Sequence, residues 1–280
     1  MSIDRARGGP DAASLGTLGF HVDGRPCRVG CAFCYLGARP EAAESAIDPD
    51  LVAAAAGRLP VRDLAISVSE PAALWRPHVE ALAEVARARG LLLAATTTMD
   101  VARTAPWLSE ACGRLTLSVD PAKGKAAVTP AAVAATLAAV ARPGLEVVLL
   151  VTLATPAFCK RLTEGLLAEF LAIDAACAVA LNGIKPPPPW CDRAFWRRLL
   201  AAIAPLLDVH LGTRLHLDCY VSARILGLSD CPKKPDIAAG REFRACVYQR
   251  EPDFVFDDPA DLAARVATYR APARCPFPIV

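Results

Sequence analysis

Short apolar runs along this chain are separated by longer stretches in which apolar residues recur at helical spacing. The runs at 15–22, 64–68, 91–95, 115–119, 146–153, 178–184 and 215–220 read as strands. Helices are predicted at 50–56, 75–89, 99–112, 130–141, 160–173 and 193–206. In the second of these, Val79, Leu82, Val85 and Ala86 share one face, and Gly90 supplies the stop. Asp48 or Asp50 suits the N-cap of the first helix, and Pro130 opens the fourth. Strands that alternate with helices imply parallel pairing through helical crossovers. The prediction is an α/β fold: a partial (β/α)6 barrel built from six to seven such units.

Chemistry in such barrels sits at the C-terminal ends of the strands. The polar residues there are Ser69 and Glu70, Thr96 to Thr98, Ser118 and Asp120, Thr152, Asn182, and Asp218 with Cys219. Beyond Tyr220 the pattern becomes turn-rich, with Gly227, Pro232, Pro235, Pro252 and Pro259 and one clear helix at 260–269. The expected organisation is a barrel over 1–220 and a cysteine-containing C-terminal appendage over 221–280.

Composition narrows the class. Hydrophobic residues make up 54% and charged residues 21% of 280, enough apolar material for a large core. Thirty-one Lys and Arg against 29 Asp and Glu leave +2, which argues against an electrostatic nucleic-acid binder. No apolar run reaches the length of a membrane span, and the opening MSIDRARGGPD lacks the apolar core of a signal peptide. The expectation is a cytoplasmic protein with no membrane and no nucleic-acid partner. Eleven cysteines, an odd number in a reducing compartment, point to metal ligation or buried thiols rather than disulfides. Cys112, Cys159 and Cys177 stand singly in apolar segments and read as core residues.

Three cysteines stand together in the loop after the first strand: Cys27-Arg-Val-Gly30-Cys31-Ala-Phe33-Cys34-Tyr35. A compact loop can turn three thiolates toward one point, and soft thiolates select zinc or iron–sulfur clusters. A structural zinc site would be closed by a fourth ligand, and no Cys or His stands nearby to supply it. The open position suits a substrate or cofactor that binds metal.

CxxxCxxC with an aromatic before the third cysteine, placed after the first strand of a β/α series, resembles the radical S-adenosylmethionine (SAM) superfamily. The resemblance implies that Cys27, Cys31 and Cys34 hold a 4Fe-4S cluster whose fourth iron is chelated by SAM. It implies reductive cleavage of SAM to a 5′-deoxyadenosyl radical that abstracts hydrogen from substrate. Val68-Ser69-Glu70-Pro71 stands where the family often has Gly-Gly-Glu-Pro, which contacts the SAM amino group; neither glycine is present here. Glu70 also suits a favourable charge at a helix start. Ser118-Val-Asp120 resembles the Ser-x-Asp that ends the family's fourth strand and touches the SAM ribose or methionine end, although Asp120-Pro121 is also good turn chemistry. Phe33 and Tyr35 are the aromatics that would pack near the adenine.

Cys219, Cys231, Cys246 and Cys275 resemble, loosely and at long spacing, the ligands of the auxiliary 4Fe-4S cluster that relatives carry in C-terminal extensions. Cys219, at a strand end, is alternatively a hydrogen donor to a substrate radical. Four prolines after Lys185 make a stiff segment that either walls the mouth or connects to the next helix. The expected substrate is a small molecule or natural-product intermediate, with a peptide as the alternative. The expected electron donor is a flavodoxin or ferredoxin. The rival from another class is a non-enzymatic zinc or iron–sulfur protein.

Overall fold

The structure is a computed structural model. It describes residues 16–21, 47–59, 61–121, 128–174, 177–184, 187–227, 236–238, 241–244, 246 and 251–268. The fold opens with β1 (Gly16–His21), α1 (Pro49–Arg58) and β2 (Val61–Ser67). The Asp48 side chain caps α1 by accepting from the N–H groups of Asp50 and Leu51. A 3-10 turn over Ala72–Trp75 leads into α2 (Arg76–Arg89), which ends at Gly90 with φ of 65°, a conformation that glycine adopts without a Cβ penalty. β3 (Leu92–Thr98) follows, then α3 (Met99–Thr104), α4 (Trp107–Ala111), β4 (Arg114–Val119), α5 (Pro130–Val140) and β5 (Glu146–Thr152). Next come α6 (Pro156–Arg161), a π turn (Leu162–Leu166), α7 (Leu167–Ile173), β6 (Ala178–Asn182), α8 (Arg193–His210) and β7 (Leu215–Leu217). The series ends with α9 (Cys219–Leu226), β8 (Asp236–Ala238), β9 (Glu242–Arg244), β10 (Phe254–Val255) and α10 (Pro259–Thr268).

β1 to β7 lie side by side in chain order, each parallel to the next. Right-handed crossovers between sequential parallel strands put the helices on one face. The neighbouring helices accordingly pack on one another, α1 on α2, α3 on α5 and α5 on α7. The sheet curls, and the seven parallel strands form an open half-barrel.

The two faces of this sheet differ at every strand. Leu64, Leu115, Leu117, Leu149, Val151, Val179 and Leu181 point to the helices and are fully or almost fully buried in one apolar core. The alternate positions, such as Ala65, Thr96, Thr116, Leu150 and Ala180, are half-buried and contribute nothing to that core. They form the open face.

Several sequence expectations change. The helix expected over 99–112 is broken into α3 and α4, because Pro106 has no N–H to continue the ladder. The helix expected from Lys160 starts at Pro156, capped by the Thr155 side chain, and is widened by a π turn at Gly165, whose φ is 124°. The last strand of the series stops at Leu217, and Cys219 begins a helix. Three strands after residue 227 also belong to the same sheet: β8 pairs in parallel with β1, and β9 and β10 continue antiparallel. Their two- and three-residue lengths leave almost no periodicity to read.

Candidate functional site

The C-terminal ends of β2 to β7 form one rim. Register sets Thr98 of β3 beside Ser118 of β4, and Thr152 of β5 beside Asn182 of β6. Asp120 follows the end of β4 by one residue, in step with Thr152. Asp120, Thr152, Ser118 and Thr98 are all buried.

Some rim residues are committed to the fold. Thr97 Oγ1 donates to the Val68 carbonyl at 2.9 Å, and Val68 N–H donates to the Thr96 carbonyl at 2.8 Å, which locks the end of β2 to β3. Thr98 Oγ1 accepts from Val101 N–H and caps α3. Asp218 accepts from Val221 N–H at 2.7 Å through one oxygen and from Gly183 N–H at 3.2 Å through the other. It thereby caps α9 and ties the ends of β6 and β7 together.

Other rim residues have no such duty. Ser69 Oγ and Thr152 Oγ1 are buried and have no hydrogen-bond partner among the described residues. The 3-10 turn after Pro71 has no side-chain cap, so Glu70 does not serve as one. The Glu70 carboxylate is half-buried and makes no hydrogen bond or ion pair among the described residues. A buried polar atom without a partner is rare and costly. The hydroxyls of Ser69 and Thr152 therefore mark the rim from both sides.

At the other end of the open face the charges are paired. Arg114 of β4 donates to Asp63 of β2 at 2.9 Å and to Glu146 of β5 at 2.8 Å. Thr17 of β1 reaches Asp63 at 3.5 Å. This network, which sequence reading missed, floors the half-barrel. Its signal was a charged residue within the first three positions of each of three strands.

Cys27, Cys31, Cys34, Phe33, Tyr35, Lys185, Cys231 and Cys275 lie outside the described residues. Cys219 is the first residue of α9 and is half-buried. Cys246 is buried two residues beyond β9. Among the described residues no group of three or more His, Cys, Asp or Glu side chains is arranged to hold a metal ion. Cys112, Cys159 and Cys177 are buried in the core, as their apolar surroundings in the sequence suggested. Burial pushes the thiols of Cys112 and Cys159 up to about 12 and that of Cys177 up to about 11. Thiols so raised are poor nucleophiles.

The rim as a whole presents a carboxylate and hydroxyls toward an open face, over a floor of paired charges. That arrangement suits a polar organic ligand held by hydrogen bonds. No family model matches the chain, and no curated protein matches it.

Proposed function

We propose that the chain is a radical SAM enzyme acting on a small-molecule or natural-product substrate. The reading is carried by one observation: CxxxCxxC begins six residues after the end of β1 in the sequence, and β1 belongs to a sequential parallel half-barrel. Three thiolates there, Cys27, Cys31 and Cys34, are the donor set that a 4Fe-4S cluster takes, with one position left for SAM. The rim fits that cofactor. Glu70 suits an ammonium group, and the Ser69 hydroxyl lies beside it in sequence; neither has a side-chain partner among the described residues. Ser118 and Asp120 suit ribose hydroxyls or the methionine end. When bound, the cluster and SAM supply one-electron chemistry, namely reductive cleavage of SAM and hydrogen abstraction from the substrate.

The chain's own residues bind, orient and exclude. Glu70 and Asp120 hold the polar ends of the cofactor. The Thr97–Val68 bond keeps the β2 end, and so Ser69 and Glu70, in register with β3. The Arg114 network stands at the opposite end of the open face, away from the rim. A second 4Fe-4S cluster on Cys219, Cys231, Cys246 and Cys275, and a flavodoxin or ferredoxin as electron donor, belong to the same proposal.

The test is anaerobic reconstitution followed by an assay for 5′-deoxyadenosine with a strong reductant. The wild-type protein should form it, and a variant with Cys27, Cys31 and Cys34 all changed to Ala should not. Iron analysis goes with it: with both clusters the wild type should carry about eight irons and the triple variant about four. Unreduced 5′-deoxyadenosine formation in the triple variant would sink the assignment, and tightly bound zinc in place of iron would favour a structural metal protein.

A further inference from the structure

The open face is chemically divided. On β2 to β4 its upper positions carry hydroxyls: Ser67, Thr96, Thr98, Thr116 and Ser118. On β5 and β6 it turns aliphatic, with Val148 and Leu150 beside Ala178 and Ala180 in register. All four are half-buried, and none packs against the helix-side core. From Val148 upward no residue of this face on β5 or β6 carries a charge. At the top of the aliphatic strip stand Thr152 and Asn182, paired in register.

Thr152 is 1% exposed, and its Oγ1 has no hydrogen-bond partner among the described residues. A hydroxyl so placed is desolvated without compensation until something else supplies a donor or acceptor. Asn182 adds a carboxamide with two donors and two acceptor sites, so a partner within the protein does not exhaust it. Both groups are neutral. Together with the strip below them they match a ligand that is apolar along its body and neutral but hydrogen-bonding at one end.

We propose that the β5–β6 half of the open face is the substrate subsite. Its substrate is a largely apolar molecule bearing one neutral hydroxyl, carbonyl or amide group, held by Thr152 and Asn182 over Val148, Leu150, Ala178 and Ala180. This rests on the reading of the rim as a radical SAM site, in which Glu70, Ser118 and Asp120 on β2 and β4 take the cofactor. Phosphorylated and polyhydroxylated substrates are disfavoured, because the strip offers neither a cation nor a row of hydrogen-bonding groups.

The experiment uses the reconstituted full chain and three small probes: cyclohexanol, cyclohexanecarboxylate and glucose. Saturation-transfer NMR ranks their affinities, and equilibrium dialysis measures SAM on the same samples. Cyclohexanol should bind best. Thr152→Val should weaken it about five- to tenfold, the worth of one hydrogen bond, while Thr152→Ser retains it. SAM affinity should stay at the wild-type level in both variants. Removing a hydroxyl that bonds to nothing among the described residues should not lower the thermal midpoint of Thr152→Val, whereas loss of a structural hydroxyl would. Preference for glucose or the carboxylate, or cyclohexanol affinity unchanged in Thr152→Val, overturns the proposal. Loss of SAM affinity in Thr152→Val also overturns it, by moving Thr152 into the cofactor site. A wild-type protein that binds cyclohexanol through Thr152 but binds no SAM leaves the apolar subsite standing and removes the cofactor reading.

Discussion

Glu70 and Asp120 show how little a residue's identity says before its neighbours are known. Each had an ordinary structural role open to it in the sequence, as a helix-start charge or a turn residue. The 3-10 turn after Pro71 takes no side-chain cap, which leaves the Glu70 carboxylate for another use. Asp120 is 1% exposed at the end of β4, deeper than a simple turn aspartate needs to be. Glu70→Gln and Asp120→Ala should each lower SAM affinity about tenfold or more, since a charge-assisted hydrogen bond contributes roughly 1.5–3 kcal/mol. Equilibrium dialysis checks this, and wild-type affinity in both variants would return them to structural roles. The core cysteines make the opposite case. In the native protein at pH 8, Cys112, Cys159 and Cys177 should resist iodoacetamide and react only after unfolding in urea, as read by mass spectrometry. Their raised values also set a sign. An unfolded thiol ionises near pH 8.5, whereas these stay neutral until about pH 11 to 12 in the fold. Their contribution to stability is fully present below pH 8.5 and is lost as the pH rises toward the folded values.

Among the elements, α9 was one that the sequence hid. Residues 219–226 follow the strand with no Gly or Pro between them, so the run from Leu215 read as one strand ending at Tyr220. Asp218 decides the matter by capping the helix and holding Gly183 N–H. The cap brings Tyr220 against the end of β6. A Cβ on Gly183 would lie 2.7 Å from Tyr220 Cδ1. Tyr220 has no room to retreat, because its ring already packs edge-on against Trp196 at 5.7 Å and is 2% exposed. Gly183→Ala should therefore cost about 1–3 kcal/mol, the usual range for overpacking a core. Urea denaturation measures it, and wild-type stability would show that the β6–α9 junction yields. The helices themselves were legible wherever a cap or stop was local: Asp48, Gly90, Pro130 and Asp192 act at the ends where they stand. Interruptions such as the π turn at Gly165 were not, because glycine inside a helical pattern marks a weak point without saying how the chain passes it.

At the scale of the whole molecule, the floor of the half-barrel joins strands far apart in the chain. Arg114, Asp63 and Glu146 span β2 to β5, and the pairs are partly solvent-exposed. Solvent screening keeps such pairs modest, so Arg114→Leu should cost about 1 kcal/mol, with the loss shrinking as salt is added. Denaturation at low and high ionic strength checks it, and a salt-independent loss would assign the effect to packing instead. The sequence by itself determined the alternation of strands and helices, the parallel sheet and the spacing of three cysteines. Hydropathy period, caps and ligand spacing are local properties, written within a few residues of where they act. Only the tertiary structure decided which strand-end residues are spent on caps, as Thr98 and Asp218 are, and which hydroxyls, as on Ser69 and Thr152, lack a partner among the described residues. It alone added β8 to the sheet beside β1, more than 200 residues away in the chain. Hydrogen-bond partners and sheet neighbours at that separation depend on how the whole chain closes, and no local pattern records them.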